Sequence, residues 1–144
     1  MMDTLFSYFE ILNHPPLYTD RKFRKSERLH LKNDIDSLFR EGTVTKKYPL
    51  IAKFNVVEDS ENLIRLLISV PKRRVRKASD RNRLKRSIKE SYRLLKPEFT
   101  GMELPDNKGL HVALILTADS STENQKIKES VGTVFKDIFE QIKK

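Results

Sequence analysis

The stretch Pro71-Lys72-Arg73-Arg74-Val75-Arg76-Lys77-Ala78-Ser79-Asp80-Arg81-Asn82-Arg83-Leu84-Lys85-Arg86-Ser87-Ile88-Lys89-Glu90-Ser91-Tyr92-Arg93-Leu94-Leu95-Lys96 holds 12 of the chain's 29 Lys and Arg but only two of its 20 acids, Asp80 and Glu90. Of a formal net charge of +9, this segment therefore carries +10 (12 minus two) and the rest of the chain −1. A dense cationic run is the electrostatic footprint of a polyanion binder, because each phosphate it neutralises releases a condensed counterion. Its second half has helical periodicity, with Ser79 or Asp80 placed to cap the first turn and Pro97 to stop the last, which predicts a helix over 80–95. At roughly 100° per residue, Leu84, Ile88, Tyr92 and Leu95 fall on one stripe, and Asn82, Arg86, Lys89 and Arg93 fall on the opposite side. A solvated helix face is the ordinary reading of such charges, but it normally intersperses acids for i,i+4 pairing. Their scarcity crowds like charges at a cost that a bound polyanion relieves.

Outward from this helix the pattern alternates. On its N-terminal side, Leu63-Ile64-Arg65-Leu66-Leu67-Ile68-Ser69-Val70 is apolar on both faces apart from Arg65 and Ser69, which predicts a central strand. On its C-terminal side, after a loop with Pro97, Gly101, Pro105, Asn107 and Gly109, Leu110 to Thr117 reads as a strand buried on both sides. Strand 63–70, helix 80–95 and strand 110–117 make a crossover unit, ordinarily right-handed. Farther upstream, Tyr48 to Val57 alternates as a strand with Leu50, Ala52, Phe54 and Val56 on one face and Ile51, Lys53, Asn55 and Val57 on the other. Before it, Asn33 to Gly42 predicts a short helix, with Asn33 as cap, Ile35, Leu38 and Phe39 on one face, and Gly42 as a left-handed stop. At the end of the chain, Thr122 and Gln125 resemble a capping box. They open a helix whose stripe is Ile127, Val131, Val134, Phe135, Ile138, Phe139 and Ile142. The order α-β-β-α-β-α predicts an α/β (α+β) two-layer sandwich, a small mixed sheet with helices packed on it, with room for a small fourth strand in a loop.

These residues carry a resemblance. Ser69-Val70-Pro71-Lys72-Arg73, followed by Ala78-Ser79-Asp80-Arg81-Asn82-Arg83-Leu84-Lys85-Arg86, resembles the signature of the bacterial ribonuclease P protein component. In that family a strand ending S-V-x-K-[KR] leads through a basic loop to A-V-x-R-N-R-x-K-R. Arg28-Leu29 and Phe39-Arg40-Glu41-Gly42 match the family's opening motif, so the likeness covers roughly residues 28 to 96, and the last strand and helix only by order and pattern. The chain departs from the pattern at Ile35, where the family usually has the first of two phenylalanines, and in the loop, which lacks a glycine before Ala78 and has Ser79 for valine.

The resemblance implies a left-handed crossover that exposes the Arg-Asn-Arg helix, and a division of labour. A catalytic RNA subunit holds the Mg2+ ions and performs the hydrolysis; the protein by itself binds no cofactor. Arg73, Arg74, Arg76, Lys77, Arg81, Asn82, Arg83, Lys85, Arg86 and Lys89 would bind the RNA subunit, the arginines through bidentate phosphate contacts. Ile35, Phe39 and Lys53 would line a cleft for the single-stranded 5′ leader of precursor tRNA. There Phe39 stacks on a base, Ile35 offers apolar contact and Lys53 meets a phosphate. The other reading of the same basic helix is a ribosomal or general structural RNA-binding protein. A sequence-specific DNA binder is weaker, since an apolar strand stands where a helix-turn-helix partner is expected.

Composition bounds the rest. A chain of 144 residues makes one domain, residues 21–144, preceded by an N-terminal extension, residues 1–20, that ends near Asn13-His14-Pro15-Pro16. With no cysteine there is no disulfide, thiolate metal site or cysteine nucleophile. No apolar run approaches the roughly 20 residues of a membrane span, and the first residues lack the basic start of a signal peptide, so the expected location is cytoplasmic. A second basic patch, Arg21, Lys22, Arg24, Lys25, Arg28, His30 and Lys32, is opposed only by Glu27. His14, His30 and His111 are scattered, and Asp34-Asp36 and Glu58-Asp59-Glu61 occupy helix-start and turn positions. No residue reads as catalytic and no set as metal-ligating, and no protein partner is indicated.

Overall fold

The computed structural model describes residues 23–100 and 104–143, so the expected extension over residues 1–20 lies outside the described residues. A short 3-10 turn, Lys25–Glu27, precedes α1 (Lys32–Glu41), β1 (Thr43–Lys47), β2 (Leu50–Glu58), β3 (Ile64–Ser69), α2 (Ala78–Thr100), β4 (Lys108–Leu116) and α3 (Asn124–Ile142). The sheet order is β1-β2-β4-β3, with β4 antiparallel to β2 and parallel to β3. The small fourth strand is β1, paired antiparallel with β2 across a two-residue turn at Tyr48 and Pro49, whose peptide is cis.

Period-2 alternation divides the sheet into two unlike faces. Leu50, Ala52, Phe54, Leu66, Leu110, Val112, Leu114 and Leu116 meet the stripes of α2 (Leu84, Ile88, Tyr92) and α3 (Ile127, Val131, Val134, Phe135, Ile138, Phe139) in the main core. Each fully buried Leu or Ile here contributes about 1.5–3 kcal/mol of transfer free energy. Tyr92 joins the layers, with its ring 5.3 Å from Phe135 and 5.8 Å, edge-on, from Phe23. The opposite face carries only α1, through a smaller cluster of Leu29, Leu38 and Ala113 with Ile35 and Leu67 packed on it.

Several expectations need correction. β3 is an edge strand, and the inner strands are β2 and β4. β3 is apolar on both sides because Ile64, Leu66 and Ile68 join the main core while Leu67 packs on the Leu29, Leu38 and Ala113 cluster, and its edge is covered where the Leu29 amide donates to the Leu66 carbonyl (3.0 Å) and Arg28 forms a parallel bridge to Leu66. Helix α2 begins at Ala78, ahead of Ser79 and Asp80, and runs past Pro97 to Thr100. A proline removes one ladder bond but does not stop a turn that is held from outside, and here Leu95 packs on the core while Lys96 pairs with Glu27. Helix α1 starts at Lys32 with Leu31 as N-cap, so Asn33 is not the cap. Gly42 has φ −67 and is no left-handed stop. Its glycine is required because a Cβ would collide with the Leu38 carbonyl oxygen. The capping box before α3 is not formed either. Glu123 is the N-cap, Thr122 Oγ1 donates to the Asp119 carbonyl (2.8 Å), and Gln125 reaches forward to Glu129.

Candidate nucleic-acid interface

The loop between β3 and α2 is built on two valines. Val70 and Val75 are buried, and the amides of Arg74 and Val75 both donate to the Pro71 carbonyl (3.1 Å each), forming a tight turn. With its apolar residues committed inward, the turn leaves Lys72, Arg73, Arg74, Arg76 and Lys77 exposed. Arg81, in the first turns of α2, reaches back. Its Nη1 donates to the carbonyls of Val75 (3.1 Å) and Arg76 (2.7 Å), so this half-buried guanidinium ties the loop to the helix. Arg83 Nη2 donates to the Ser120 carbonyl (2.7 Å), and Ser87 Oγ bonds to Asn124 Oδ1 (2.8 Å), fastening the same helix to the β4–α3 connection.

Asn82, Lys85 and Arg86 project outward from α2 and are exposed. Among the described residues, Arg73, Arg74, Arg76, Lys77, Lys85 and Arg86 have no ion pair. The result is an uncompensated cationic ridge, suited to phosphate oxygens by charge and by the planar fork of its arginines. Lys89 stands apart from it, half-buried with Nζ 5.6 Å from the centre of the Phe23 ring, on which Arg28 also stacks at 5.7 Å. Arg93 is engaged by Glu90, its Nε donating at 3.0 Å, and the guanidinium holds that carboxyl below the usual carboxylate range.

The second predicted surface lies on the α1 face of the sheet. Phe39, in the last turn of α1, is 37% exposed. Lys53 of β2 donates from Nζ to the Phe39 carbonyl (2.9 Å) and lies 5.3 Å from the centre of its ring. The cation thus satisfies a carbonyl that the helix end leaves without a partner, and complements the negative end of the helix dipole. Phe39 and Lys53 form one unit, a ring with a positive charge over it. Ile35 is placed differently, half-buried against Leu29, Leu38, Ala113 and Leu67, where it helps fasten α1 to the sheet. On the same face, buried His111 stands in register between Asn55 and Arg65. Burial pushes its imidazole below the ordinary histidine pKa, against the opposing pull of the Asp34 carboxylate.

Two features went unread in the sequence. Glu27 and Lys96 form a buried ion pair across 69 positions, and Glu27 also accepts from the Arg24 amide (3.0 Å). The available signal was the isolation of Glu27 as the one acid in its basic patch. The other is the β1–β2 hairpin, whose Lys46, Lys47 and Tyr48 are all exposed. Among the described residues no group of three or more His, Asp or Glu is placed to hold a metal ion, and no helix is long and apolar enough to cross a membrane.

A family model described as Ribonuclease P matches residues 23–139. The ribonuclease P protein component of Porphyromonas gingivalis is 42% identical over 73 residues, covering 50% of this chain and 53% of that relative; the match to such relatives spans about half their length. The protein of the same name from Desulforapulum autotrophicum is 32% identical over 117 residues, 81% of this chain and 92% of the relative. Among solved structures, the ribonuclease P protein from Thermotoga maritima superposes with a TM-score of 0.61 at 26% identity, over 77% of this chain and 96% of that one.

Proposed function

Because the chain belongs to the ribonuclease P protein family, as the match over residues 23–139 establishes, we propose that it is the protein subunit of a ribonuclease P holoenzyme. In this reading it helps an RNA subunit remove the 5′ leader of precursor tRNA in the cytoplasm. The observation that carries the proposal is the ridge of unpaired cations from Arg73 to Arg86. Its side chains carry no compensating acid, so neutralising them on RNA releases counterions without first breaking an internal ion pair. Arg73, Arg74, Arg76, Lys77, Lys85 and Arg86 grip the RNA subunit directly. Arg81 and Arg83 hold the loop and helix in the gripping geometry, and Asn82, which both donates and accepts, fits a base edge or a ribose hydroxyl.

The leader strand lies on the α1 face, with a base on Phe39 and a phosphate near Lys53. Base stacking on an aromatic ring is worth about 1–3 kcal/mol and tolerates any base. Hydrolysis is assigned to the RNA subunit together with its Mg2+. Among the described residues no group of three or more His, Asp or Glu is placed to hold a metal ion. The protein's own work is to bind, orient and retain the substrate strand.

The test is reconstitution. Protein alone is expected to leave precursor tRNA intact, while its addition to the cognate RNA subunit at low Mg2+ restores cleavage at the 5′ end. A protein that binds the RNA subunit but neither raises cleavage nor favours leader-bearing over mature tRNA is a general RNA-binding protein instead.

A further inference from the structure

Tyr48, at the tip of the β1–β2 hairpin, is the most exposed large apolar side chain among the described residues, at 68%. A single exposed apolar residue needs no explanation. This one belongs to a line. Of the five exposed large apolar residues, Phe39 ends α1 just before the hairpin, Val44 lies on β1 and Tyr48 at the tip. Register sets the line: Val44 stands opposite Lys53, Lys46 opposite Ile51 and Lys47 opposite Leu50. Since side chains alternate, Val44, Lys46, Ile51 and Lys53 share the sheet face on which α1 and Phe39 lie.

The chemistry along this line alternates between apolar contact and positive charge. First comes the Phe39 ring with Lys53 beside it, then an apolar floor of Val44 and Ile51, then Lys46, then the ring of Tyr48; Lys47, opposite core-facing Leu50, belongs to the other face. Neither Lys46 nor Lys47 has an ion pair among the described residues, and Tyr48 has no ring or cation partner there. Rings to take bases with cations to take the intervening phosphates are the recurring parts of a single-strand track. At about 3.3 Å per residue the tip lies about 10–15 Å along the strand from Lys53. A stacked strand covers that distance in about four nucleotides.

We propose that the hairpin tip is a second base-stacking position for the leader of precursor tRNA, with Tyr48 taking a base about four nucleotides or fewer beyond the one on Phe39 and Lys46 taking the phosphate near it. This rests on the leader-binding reading above and extends it from a point contact to a track that measures leader length.

The experiment uses the reconstituted holoenzyme and precursor tRNAs whose leaders grow one nucleotide at a time, with affinity measured by direct binding. The wild type is expected to gain affinity in two steps, at Phe39 and again at Tyr48. Tyr48→Ala should remove the second step, a loss of about tenfold that is confined to leaders long enough to reach the tip. Tyr48→Phe, which keeps the ring, should restore it. The proposal is overturned if Tyr48→Ala and wild type superimpose at every leader length while leader dependence persists, or if Tyr48→Phe fails like Tyr48→Ala. It is equally overturned if the loss appears in assembly with the RNA subunit, which would give the tip to that partner. Absence of any leader dependence in the wild type would instead refute the leader-binding reading itself.

Discussion

The two ends of α2 are both cationic and use their charge in opposite ways. Around the first turns, Arg73, Arg74, Arg76, Lys77, Lys85 and Arg86 face solvent without an ion pair among the described residues. Toward the last turns, Lys89 lies over Phe23, Arg93 is held by Glu90, and Lys96 is buried on Glu27. A row of like charges is a cost to the free protein. Folding removes that cost at one end and leaves it at the other. Only the unrelieved end has binding free energy to gain from a polyanion, so on the proposed function the basic segment divides into a structural half and a binding half.

The largest effect should come from breaking the structural half. Glu27→Ala leaves the Lys96 ammonium buried without its carboxylate and the Arg24 amide without its acceptor. We expect a loss of about 3–5 kcal/mol in urea unfolding, with RNA affinity of the folded fraction retained. A loss under about 1 kcal/mol, typical of a surface pair, would erase the distinction between the two ends.

The binding half should respond in the opposite sense. Replacing Arg73, Arg74 and Arg76 together by alanine is expected to lower the salt dependence of RNA-subunit binding by about two to three units of slope. Each exposed substitution should move thermal stability by no more than about 0.5 kcal/mol. An unchanged slope would show that the loop does not touch phosphate.

Arg81 sharpens the boundary between the halves. If its guanidinium acts through the loop it holds, Arg81→Ala should cost much less in a protein already lacking Arg73, Arg74 and Arg76 than in the wild type. The expected coupling in the double-mutant cycle is about 0.5–3 kcal/mol. Strict additivity would make Arg81 an independent RNA contact.

The smallest effect extends the comparison to a base that folding keeps uncharged. His111 has its pKa depressed by burial below the ordinary 6.5, so the unfolded chain takes up its proton first. Stability is therefore complete above pH 6.5 and declines as pH falls through that value toward the lower folded pKa. Thermal unfolding from neutral to mildly acidic pH should show a shallower decline in His111→Gln than in the wild type.

Much of this was legible in the chain because it follows from local periodicity. The α2 stripe, the alternation of β2, the terminal helix and the concentration of charge between Pro71 and Lys96 depend on neighbours a few positions away, and backbone geometry converts such spacing directly into faces. The punctuation was less legible. Pro97 did not end α2, Asn33 did not cap α1, and Thr122 and Gln125 formed no capping box. The capping signals are worth about a kilocalorie each and the proline about three, and they yield to tertiary contacts, here the packing of Leu95 on the core and the Glu27–Lys96 pair.

By itself, then, the sequence determined most of the segments that are helix and strand and where the positive charge lies, since these are properties of composition and short-range spacing. Tertiary structure alone decided that β4 lies inside the sheet and β3 at its edge, that Arg81 is turned into its own loop, that Lys96 is spent on Glu27, and that Lys53 meets Phe39. Each of those outcomes joins residues far apart in the chain, and pairings of that kind are selected by burial and hydrogen bonding in the assembled fold, which no local pattern encodes.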